Sequence, residues 1–530
     1  MNKSLVKEVG KLLVIGFPGK EVPDYIRRMM HQYHIGGMIL FSRNIGTPEE
    51  VLRLTTDLQK EAKKAGYTHP LLICVDQENG VVRRLGEGTT IFPGAMALGA
   101  TNNPKNAYHI GLATAKELKA LGINWNLAPV LDVNNNPDNP VIGVRSFGES
   151  AEMVADFGRQ MMQGMQDGGV ITTLKHFPGH GDTNVDSHLD LPVISHHKER
   201  LKKVELLPFQ TSIDAGADTV MSAHVYFPAI ESKQGVPATL SKKVITELLR
   251  TELAFDGVVT TDCLEMRAIA NGVGTEQSAV EAIKAGVDLL IISHTANKQQ
   301  DTIQKIIQLI EANELDRSFI TQSIRRIDSL KEKYLHWDDI QLVGEEAVPK
   351  VINCKQHEEI AYQMYKESIT VVKNENVIPV SLKEKDRVLV LWPNDGGTMG
   401  VEDKRHTTHA LDEAVKSYHK EVDKIDVTDD MTALDIEEIV AKAHHYDFIF
   451  VGTLTITIGS KQVTLVEKLA KAQLSFVVIA MRSPYDLRYI PQVKAYINTY
   501  EFTYPALQVA AGAVFGKEKV SGTSPVTIFP

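Results

Sequence analysis

The stretch Val170-Ile-Thr-Thr-Leu174-Lys175-His176-Phe-Pro-Gly-His180 joins an apolar, β-like run to a polar loop. The apolar residues stop at Leu174, and a lysine, a histidine, a proline and a glycine follow at once. A strand that is apolar throughout and then turns polar is typical of a β/α barrel, where each strand leads into a loop that carries functional residues. We therefore expect one barrel strand here, with a functional loop at its carboxyl end.

Similar apolar runs lie on both sides of this one and alternate with helix-like segments, such as residues 48–64 and 151–167. The eight predicted strands are residues 12–17, 37–41, 71–76, 123–133, 170–177, 219–225, 257–262 and 288–293. Continuous apolar strands alternating with helices predict a parallel sheet covered on both faces. Eight such units favour a closed (β/α)8 barrel, as in triose-phosphate-isomerase-like folds, over an open doubly wound sheet.

The sequence pattern changes after the eighth strand–helix unit. Residues 337–350 are polar and predict a linker, and a second α/β pattern follows. We predict a catalytic barrel at residues 1–336 and a C-terminal α/β sandwich domain at residues 351–530. The predicted strands of the second domain are residues 368–372, 388–392, 448–451, 476–479 and 495–497.

The composition limits the kinds of binding partner and the cellular compartment that we expect. The chain has 530 residues, 43% of them hydrophobic and 23% charged, with a formal net charge of -10, which argues against nucleic acid or an anionic membrane as a partner. The three cysteines, Cys74, Cys263 and Cys354, form no CxxC pair and predict neither a disulfide framework nor a cysteine zinc site. The first residues do not resemble a signal peptide, so we expect a cytoplasmic protein.

Polar residues follow the predicted strands at equivalent places. The groups are Asp76, Asp132, Lys175 with His176, His224, Asp262, and Ser293 with His294. Because catalytic groups of a β/α barrel lie at the carboxyl ends of its strands, this pattern predicts an active site across the barrel mouth.

Asp262 suggests the type of chemistry. It follows Val258-Val-Thr-Thr261, so a single carboxylate would stand at a strand end. A carboxylate placed in this way suits nucleophilic attack on the anomeric carbon of a sugar, although a helix N-cap is a common alternative role. A retaining glycosidase ordinarily adds a second carboxyl group, and Glu78, Glu149 and Glu265 are candidates that the sequence does not distinguish.

Four separated motifs occur in one order along the chain. They are Val75-Asp76-Gln-Glu-Asn-Gly80, Asn139-Pro-Val-Ile-Gly-Val-Arg145-Ser-Phe-Gly148, Lys175-His-Phe-Pro-Gly-His-Gly-Asp-Thr183 with Asp186-Ser-His188, and Val258-Val-Thr-Thr-Asp262. Together they resemble glycoside hydrolase family 3, in particular its bacterial β-N-acetylglucosaminidase branch, which acts on peptidoglycan fragments. The likeness covers the whole barrel region, and the trailing α/β segment is similar to the two-domain members.

The resemblance implies roles for particular residues. Asp262 would be the nucleophile, and Asp186 and His188 would be the acid/base dyad. The residues implied to bind the non-reducing N-acetylglucosamine are Asp76, Arg84, Arg145, Lys175 and His176. No cofactor or metal is implied, and the expected substrate is a small carbohydrate or a muropeptide.

The proposed dyad is also reasonable on chemical grounds. A histidine with a reference pKa of about 6.5 can protonate a leaving oxygen and then take a proton back near neutral pH. An aspartate two residues earlier could orient the ring and stabilise its cationic form.

Several alternatives remain open at this point. Phosphate could replace water as the acceptor, which would make the chain a β-N-acetylglucosaminide phosphorylase, or the substrate could be a β-glucoside. His176, His180, Asp182 and His188 could instead be the ligands of a metal-dependent barrel hydrolase. Finally, the fold could serve a non-catalytic muropeptide-binding protein.

Overall fold

A computed structural model describes residues 3–187, 190–340, 348–394, 401–402 and 410–529 of the chain. The fold is built around two β-sheets, one with strands between Leu13 and Ile292 and one with strands between Thr370 and Asn498.

The first sheet is the predicted barrel. Within the described residues it has eight strands: β1 Leu13–Ile15, β2 Gly37–Leu40, β3 Leu72–Val75, β4 Trp125–Asn126, β5 Ile171–Phe177, β6 Thr219–Ser222, β7 Val258–Thr261 and β8 Leu290–Ile292. All pair in parallel in the order β7-β6-β5-β4-β3-β2-β1-β8. An isolated parallel bridge between Thr260 and Leu289 connects the two ends of the sheet. The (β/α)8 prediction is therefore confirmed.

The fourth strand is much shorter than the sequence pattern suggests. Residues 123–133 are apolar enough for one long strand, yet the ladder covers only Trp125 and Asn126. Pro129 has no N–H to donate, so the ladder cannot continue through it. Irregular backbone hydrogen bonds to β5 nonetheless continue beyond Asn126: the Thr173 N–H donates to the Ala128 carbonyl, and the Lys175 N–H donates to the Pro129 carbonyl. An isolated bridge also joins Val130 to Lys175.

Helices surround the barrel and fill the connections between its strands. The barrel region holds α1 Lys3–Gly10, α2 Asp24–Tyr33, α3 Pro48–Lys64, α4 Ala95–Ala100, α5 Pro104–Ala120, α6 Ala151–Asp167, α7 Lys198–Lys203, α8 Leu207–Asp214, a π-helix at Lys243–Glu252, α9 Arg267–Ala270, α10 Thr275–Ala285, α11 Ala296–Glu311 and α12 Arg317–Tyr334.

Helices α3 and α6 each begin after a capping residue. The Thr47 side chain accepts a hydrogen bond from the Glu50 N–H, and the Glu50 side chain accepts one from the Thr47 N–H, which forms a capping box before α3. The Ser150 side chain accepts from the Met153 N–H before α6. Both helices therefore start directly after an oxygen-bearing cap residue.

The second sheet has six strands within the described residues. They are β9 Thr370–Asn374, β10 Val388–Pro393, β11 Val422–Val427, β12 Phe448–Thr453, β13 Phe476–Ala480 and β14 Ala495–Asn498, in the order β11-β10-β12-β13-β14-β9. Only β9 is antiparallel. The helices described in this second α/β region are α13 Lys355–Ser368, α14 Ala410–Lys416, α15 Ala433–Ala443, α16 Lys461–Lys471 and α17 Tyr504–Val514.

The sequence pattern missed β11. Its sequence, Val422-Asp-Lys-Ile-Asp-Val427, contains three charged residues, as suits a strand that lies at the sheet edge and is mostly half-exposed. The predicted linker, residues 337–350, begins with a 3₁₀ turn, Trp337–Asp339, whose indole N–H donates to the Thr68 carbonyl. Residues 341–347 of that prediction lie outside the described part of the chain.

Two hydrophobic cores hold the molecule together. The larger core runs from the barrel and its helices to one face of the second sheet, where it includes Val390, Phe450 and Ile479. The smaller core covers the other face of that sheet, with Leu391 and Val478 among its members. No helix in the described part of the chain has the length and apolarity to cross a membrane.

Polar contacts join the carboxyl edge of the second sheet to loops of the barrel. The Gly94 N–H donates to the Glu501 carboxylate at 2.7 Å, and the Asn134 side chain donates to the Tyr485 hydroxyl at 2.9 Å. The second sheet is thus attached at the barrel face where the strands end.

Candidate active site

A cavity of about 260 Å³ lies at the carboxyl ends of the barrel strands. Six of the eight residues predicted from the sequence line it: Asp76, Arg84, Arg145, Lys175, His176 and Asp262. Other lining residues are Phe41, Glu78, His180, Ser187, Cys263, Met266, His294 and Val401. Of the two remaining predicted residues, Asp186 is half-buried on the loop after β5, and His188 lies outside the described residues.

A bulge in β5 brings two successive side chains to the cavity. A regular strand directs neighbouring residues to opposite faces, so only one of Lys175 and His176 should face the barrel mouth. The register of β5 against β6 shifts between Leu174 and Phe177, which breaks this alternation, and both side chains line the cavity. Bulges next to functional sites commonly redirect a side chain in this way.

Lys175 is the centre of a buried charge cluster. Its ammonium lies 2.7 Å from Asp76 and 2.7 Å from Glu78, and only 2% of its side chain is exposed. Arg145 faces the same Glu78 through two N–H···O contacts of 2.8 Å. Two cations and two carboxylates therefore form one network along the cavity wall.

The network fixes the charge state of its members. Burial alone would raise the pKa of Glu78, but the charges of Arg145 and Lys175 outweigh burial and hold that pKa well below its usual range. Burial would lower the pKa of Lys175, but Asp76 and Glu78 outweigh it and raise that pKa. Glu78 is therefore an anion and Lys175 a cation at neutral pH, and neither is suited to exchange a proton with substrate.

Asp132 forms hydrogen bonds with both His176 and His180 outside the cavity lining. It is fully buried and accepts hydrogen bonds from the His176 ring at 2.7 Å and from the His180 backbone N–H at 2.7 Å. Its burial raises its pKa, but the His176 and His180 interactions outweigh burial, so the net pKa is lowered. Asp132 ends a predicted strand, as expected, yet it orients His176 and does not line the cavity.

The His180 side chain forms hydrogen bonds with the loop that carries the predicted dyad. One ring nitrogen lies 2.9 Å from the Thr183 hydroxyl and the other 3.0 Å from the Ser187 hydroxyl. Burial lowers the pKa of His180 to about 4, so the ring is neutral at physiological pH and matches two hydroxyl partners. These contacts hold both sides of Asp186.

Asp262 directly follows β7 at the cavity floor. Its side chain accepts a hydrogen bond from the Cys263 N–H at 2.6 Å, which favours the charged form of a carboxylate. Burial raises the pKa of the neighbouring Cys263 thiol to about 11, so that thiol stays protonated and is no competing nucleophile.

The three glutamates that the sequence did not distinguish have separate partners. Glu78 holds Lys175 and Arg145 as described, and Glu149 accepts hydrogen bonds from Thr527. Glu265 accepts from the backbone N–H groups of His294 and Thr295 at 2.6 and 3.1 Å. Each of the three carboxylates therefore has hydrogen-bond partners of its own.

His224 also differs from the expectation for a strand-end group. Its ring lies 2.8 Å from the Thr239 hydroxyl and 3.1 Å from the Cys263 carbonyl, and it does not line the cavity. It supports the backbone that follows Asp262.

The side chains that the sequence suggested as metal ligands, where described, contact different protein groups. His176 and His180 face Asp132 and hydroxyl groups, while Asp182 pairs with His196 at 2.5 Å. Within the described residues the closest set of ligand-type side chains is Asp182, His196 and Glu205. The Arg200 guanidinium lies 2.8 Å from Glu205 and 3.9 Å from Asp182, so an internal cation already offsets part of the negative charge of that set.

One lining residue comes from the second α/β region. Val401 follows β10 in the chain, and its carbonyl accepts a hydrogen bond of 2.9 Å from the Arg84 guanidinium. Sequence reasoning missed this contact because nothing in the sequence around Val401 marks it as functional. The sequence offered Glu78 only as a possible second carboxyl group and gave no sign that it pairs with Lys175 and Arg145.

Comparison with known proteins agrees with this geometry. Residues 4–330 match the model of the glycosyl hydrolase family 3 N terminal domain. The chain is 34% identical over 420 residues to beta-hexosaminidase A of Pseudoalteromonas piscicida, covering 75% of this chain and 68% of that protein. A beta-hexosaminidase of Nitrosomonas eutropha is 32% identical over 329 residues, which are 60% of this chain and 92% of that protein.

A solved structure extends the similarity to the whole molecule. A glycoside hydrolase family 3 beta-N-acetylglucosaminidase from Paenibacillus sp. str. FPU-7 superposes with a TM-score of 0.92 at 38% identity and covers 99% of both chains. The family model covers well over half of the sequence, and the matched barrel contains the cavity. The chain is a glycoside hydrolase that belongs to glycosyl hydrolase family 3.

Proposed function

We propose that this chain is a retaining exo-β-N-acetylglucosaminidase, which removes a terminal, non-reducing β-linked N-acetylglucosamine. The observation that carries the proposal is the arrangement of one strand-end carboxylate, Asp262, in the same cavity as the buried cluster around Lys175. Relatives named beta-hexosaminidase and a similar structure described as a beta-N-acetylglucosaminidase support the choice of sugar.

In this proposal Asp262 attacks the anomeric carbon and forms a covalent glycosyl ester, while the leaving oxygen receives a proton. Water then attacks the ester and regenerates the free carboxylate. The hydrogen bond from the Cys263 N–H keeps the Asp262 carboxylate oriented before attack.

Asp186 and His188 are the proposed acid/base dyad. Support comes from the engagement of Glu78, Glu149 and Glu265 elsewhere, because those contacts leave the acid/base role to another kind of group. A neutral imidazole can accept a proton and an imidazolium can donate one near pH 7. The His180 contacts on both sides of Asp186 would hold the loop in place for this exchange.

The polar wall is proposed to bind the sugar hydroxyl groups. Asp76 would accept hydrogen bonds, and Arg84, Arg145, Lys175 and His176 would donate them. All four donors are buried. Charged donors fixed by their own network provide strong, oriented hydrogen bonds to a neutral sugar.

A cavity of about 260 Å³ suits one terminal sugar, which supports exo cleavage. We further propose that the natural substrates are muropeptides from peptidoglycan and that the enzyme works in the cytoplasm, where its three free thiols fit a reducing environment. The proposed functional units are a barrel at residues 1–336, a linker at 337–350 and a second domain at 351–530.

The acceptor is proposed to be water. Two of the cationic groups that line the cavity, Lys175 and Arg145, are already paired with Glu78, and Arg84 donates to the Val401 carbonyl. These contacts disfavour capture of a phosphate dianion in line with the anomeric carbon. The competing activities are phosphorolysis and β-glucoside hydrolysis.

One experiment separates these activities. Aryl β-N-acetylglucosaminide and aryl β-glucoside are each incubated with the enzyme, with and without millimolar phosphate, and the products are separated by chromatography. We expect fast release of free N-acetylglucosamine, independent of phosphate. A sugar 1-phosphate peak that grows with phosphate, or a preference for the glucoside, would overturn the proposal.

A further inference from the structure

The contact between Val401 and Arg84 places a backbone group of the second domain at the sugar site. Arg84 is buried, lines the cavity and donates from Nη2 to the Val401 carbonyl oxygen at 2.9 Å. A long arginine side chain has many rotamers, so an acceptor at its far end decides which direction its remaining N–H groups face. The orientation of Arg84 thus depends on where Val401 is held.

The residue next to Val401 is anchored by a buried ion pair. The Glu402 carboxylate faces Arg482, with N···O distances of 2.7 Å to Nε and 2.9 Å to Nη2. Their side chains are only 1% and 3% exposed. The Nη2–H donates a hydrogen bond to one Glu402 oxygen while Nε faces the other, so both carboxylate oxygens contact the guanidinium.

Arg482 is itself packed against other residues of the second domain. It follows β13 by two residues and lies over the Phe502 ring, 5.6 Å from its centre. Glu501, the neighbour of Phe502, accepts the 2.7 Å hydrogen bond from the barrel residue Gly94. The anchor of Val401 is therefore connected to the same surface that attaches the second sheet to the barrel.

The position of this buried ion pair suggests that it has a role beyond stability. Well-packed apolar side chains often stabilise a fold as well as a buried ion pair does, so stability alone does not explain an ion pair at this place. A charge pair directly beside a cavity-lining backbone group has a clear use, since it fixes that group relative to Arg84.

We propose that Glu402 and Arg482 are positioning residues, which hold the Val401 carbonyl against Arg84 and so make the second domain part of the sugar-binding apparatus. This inference rests on the proposed function only through the role of Arg84 in binding the sugar. Neither side chain touches substrate. Their effect passes through the Val401 backbone.

The first test is Glu402→Gln in the full-length enzyme. Glutamine keeps the size of the side chain and removes its charge, so the anchor loosens without creating a cavity. We expect KM for an aryl β-N-acetylglucosaminide to rise roughly tenfold while kcat changes less than about twofold, as for the loss of one charge-assisted, uniform binding interaction. The matched control is Glu437→Gln, which neutralises an exposed ion pair with Lys468 in the same domain and should leave KM unchanged.

Arg482→Lys protects the test against a folding defect. Lysine keeps the buried positive charge but cannot make both contacts, so the variant should fold and show a smaller, severalfold rise in KM. Thermal unfolding of each variant identifies any loss of the folded state. Folded variants with an unchanged KM would overturn the proposal.

A double-mutant cycle shows whether the effect passes through Arg84. In the Arg84→Met background, Glu402→Gln should raise KM no further, because the side chain that Val401 orients is gone. Equal effects of Glu402→Gln in both backgrounds would also overturn the proposal. If the parent hydrolyses only the aryl β-glucoside, the proposed function fails, but the same cycle measured on that substrate still tests the positioning role.

Discussion

The Lys175 ammonium and the Glu78 carboxylate lie 2.7 Å apart, with 2% and 6% of their side chains exposed. Glu78 also faces the Arg145 guanidinium, so one carboxylate contacts two buried cations, and Asp76 adds a second negative charge beside Lys175. Because both cations lower the Glu78 pKa more than burial raises it, this carboxylate stays charged throughout the neutral range. Glu78 thus offsets part of the positive charge in the wall of the cavity that Asp262 also lines.

Glu78→Gln should mainly reduce stability. The change leaves Lys175 and Arg145 with too little negative charge around them, and breaking a buried ion pair from one side costs about 3–5 kcal/mol. Denaturant unfolding measures this loss directly. Glu149→Gln is the matched control, since that carboxylate binds Thr527 at a half-exposed site and should change stability by less than about 1 kcal/mol. Equal stabilities of the two variants would contradict the buried cluster.

Asp262→Ala should abolish turnover while the protein remains folded, because the covalent intermediate cannot form. Initial rates with an aryl β-N-acetylglucosaminide and a thermal unfolding curve together check this. A slow 2-fluoro sugar substrate should label the peptide that contains Asp262. Mass spectrometry that located the label on another residue would remove Asp262 from the mechanism.

The effect of removing the proposed acid/base dyad should depend on the leaving group. His188→Ala should slow cleavage of a natural disaccharide far more than cleavage of a nitrophenyl glycoside, whose leaving group departs as a stable anion. Asp186→Ala should show the same trend more weakly, since the ring remains but loses its orienting carboxylate. The ratio of kcat/KM for the two substrates is the measurement. An unchanged ratio in both variants would assign these residues a binding or structural role.

Stability should fall as the solution becomes acidic, in part because of His180. Burial lowers its pKa from 6.5 to about 4, so between these values the unfolded chain binds a proton that the folded chain does not. The contribution of the neutral ring is fully present above pH 6.5 and is lost as the pH falls towards 4.

The test compares the parent with His180→Asn by denaturant unfolding between pH 7 and pH 4, a range that spans both values. The stability gap between the two proteins should narrow as the pH falls. His109→Asn, at an exposed position, is the control and should follow the parent at every pH. A gap of constant size would show that His180 does not titrate as described.

The barrel could be predicted because its strands obey a simple rule. Strands covered on both faces are apolar throughout, and β3, β5 and β7 show this pattern followed by polar residues. Where the rule fails, local chemistry is the cause: Pro129 ends the ladder of β4, and β11 has the charged residues of an edge strand.

The candidate site was predictable only where motifs carried it. Asp76, Lys175 and Asp262 stand at strand ends, so sequence position alone indicated that they would meet. The partners of Glu78 depend on the β5 bulge and on the loop that carries Arg145, and neither has a sequence pattern of its own. The Val401 contact depends on how two distant parts of the chain pack, which a linear pattern does not encode.

The larger hydrophobic core continues from the barrel to one face of the second sheet, where Val390 and Phe450 belong to it. Neither part can lose its structure without exposing apolar surface of the other, so the free energies of unfolding of the two parts are linked. The chain should therefore melt in a single cooperative calorimetric transition, although it contains two sheets. A destabilising substitution beneath the second sheet would lower the temperature at which the catalytic barrel is lost.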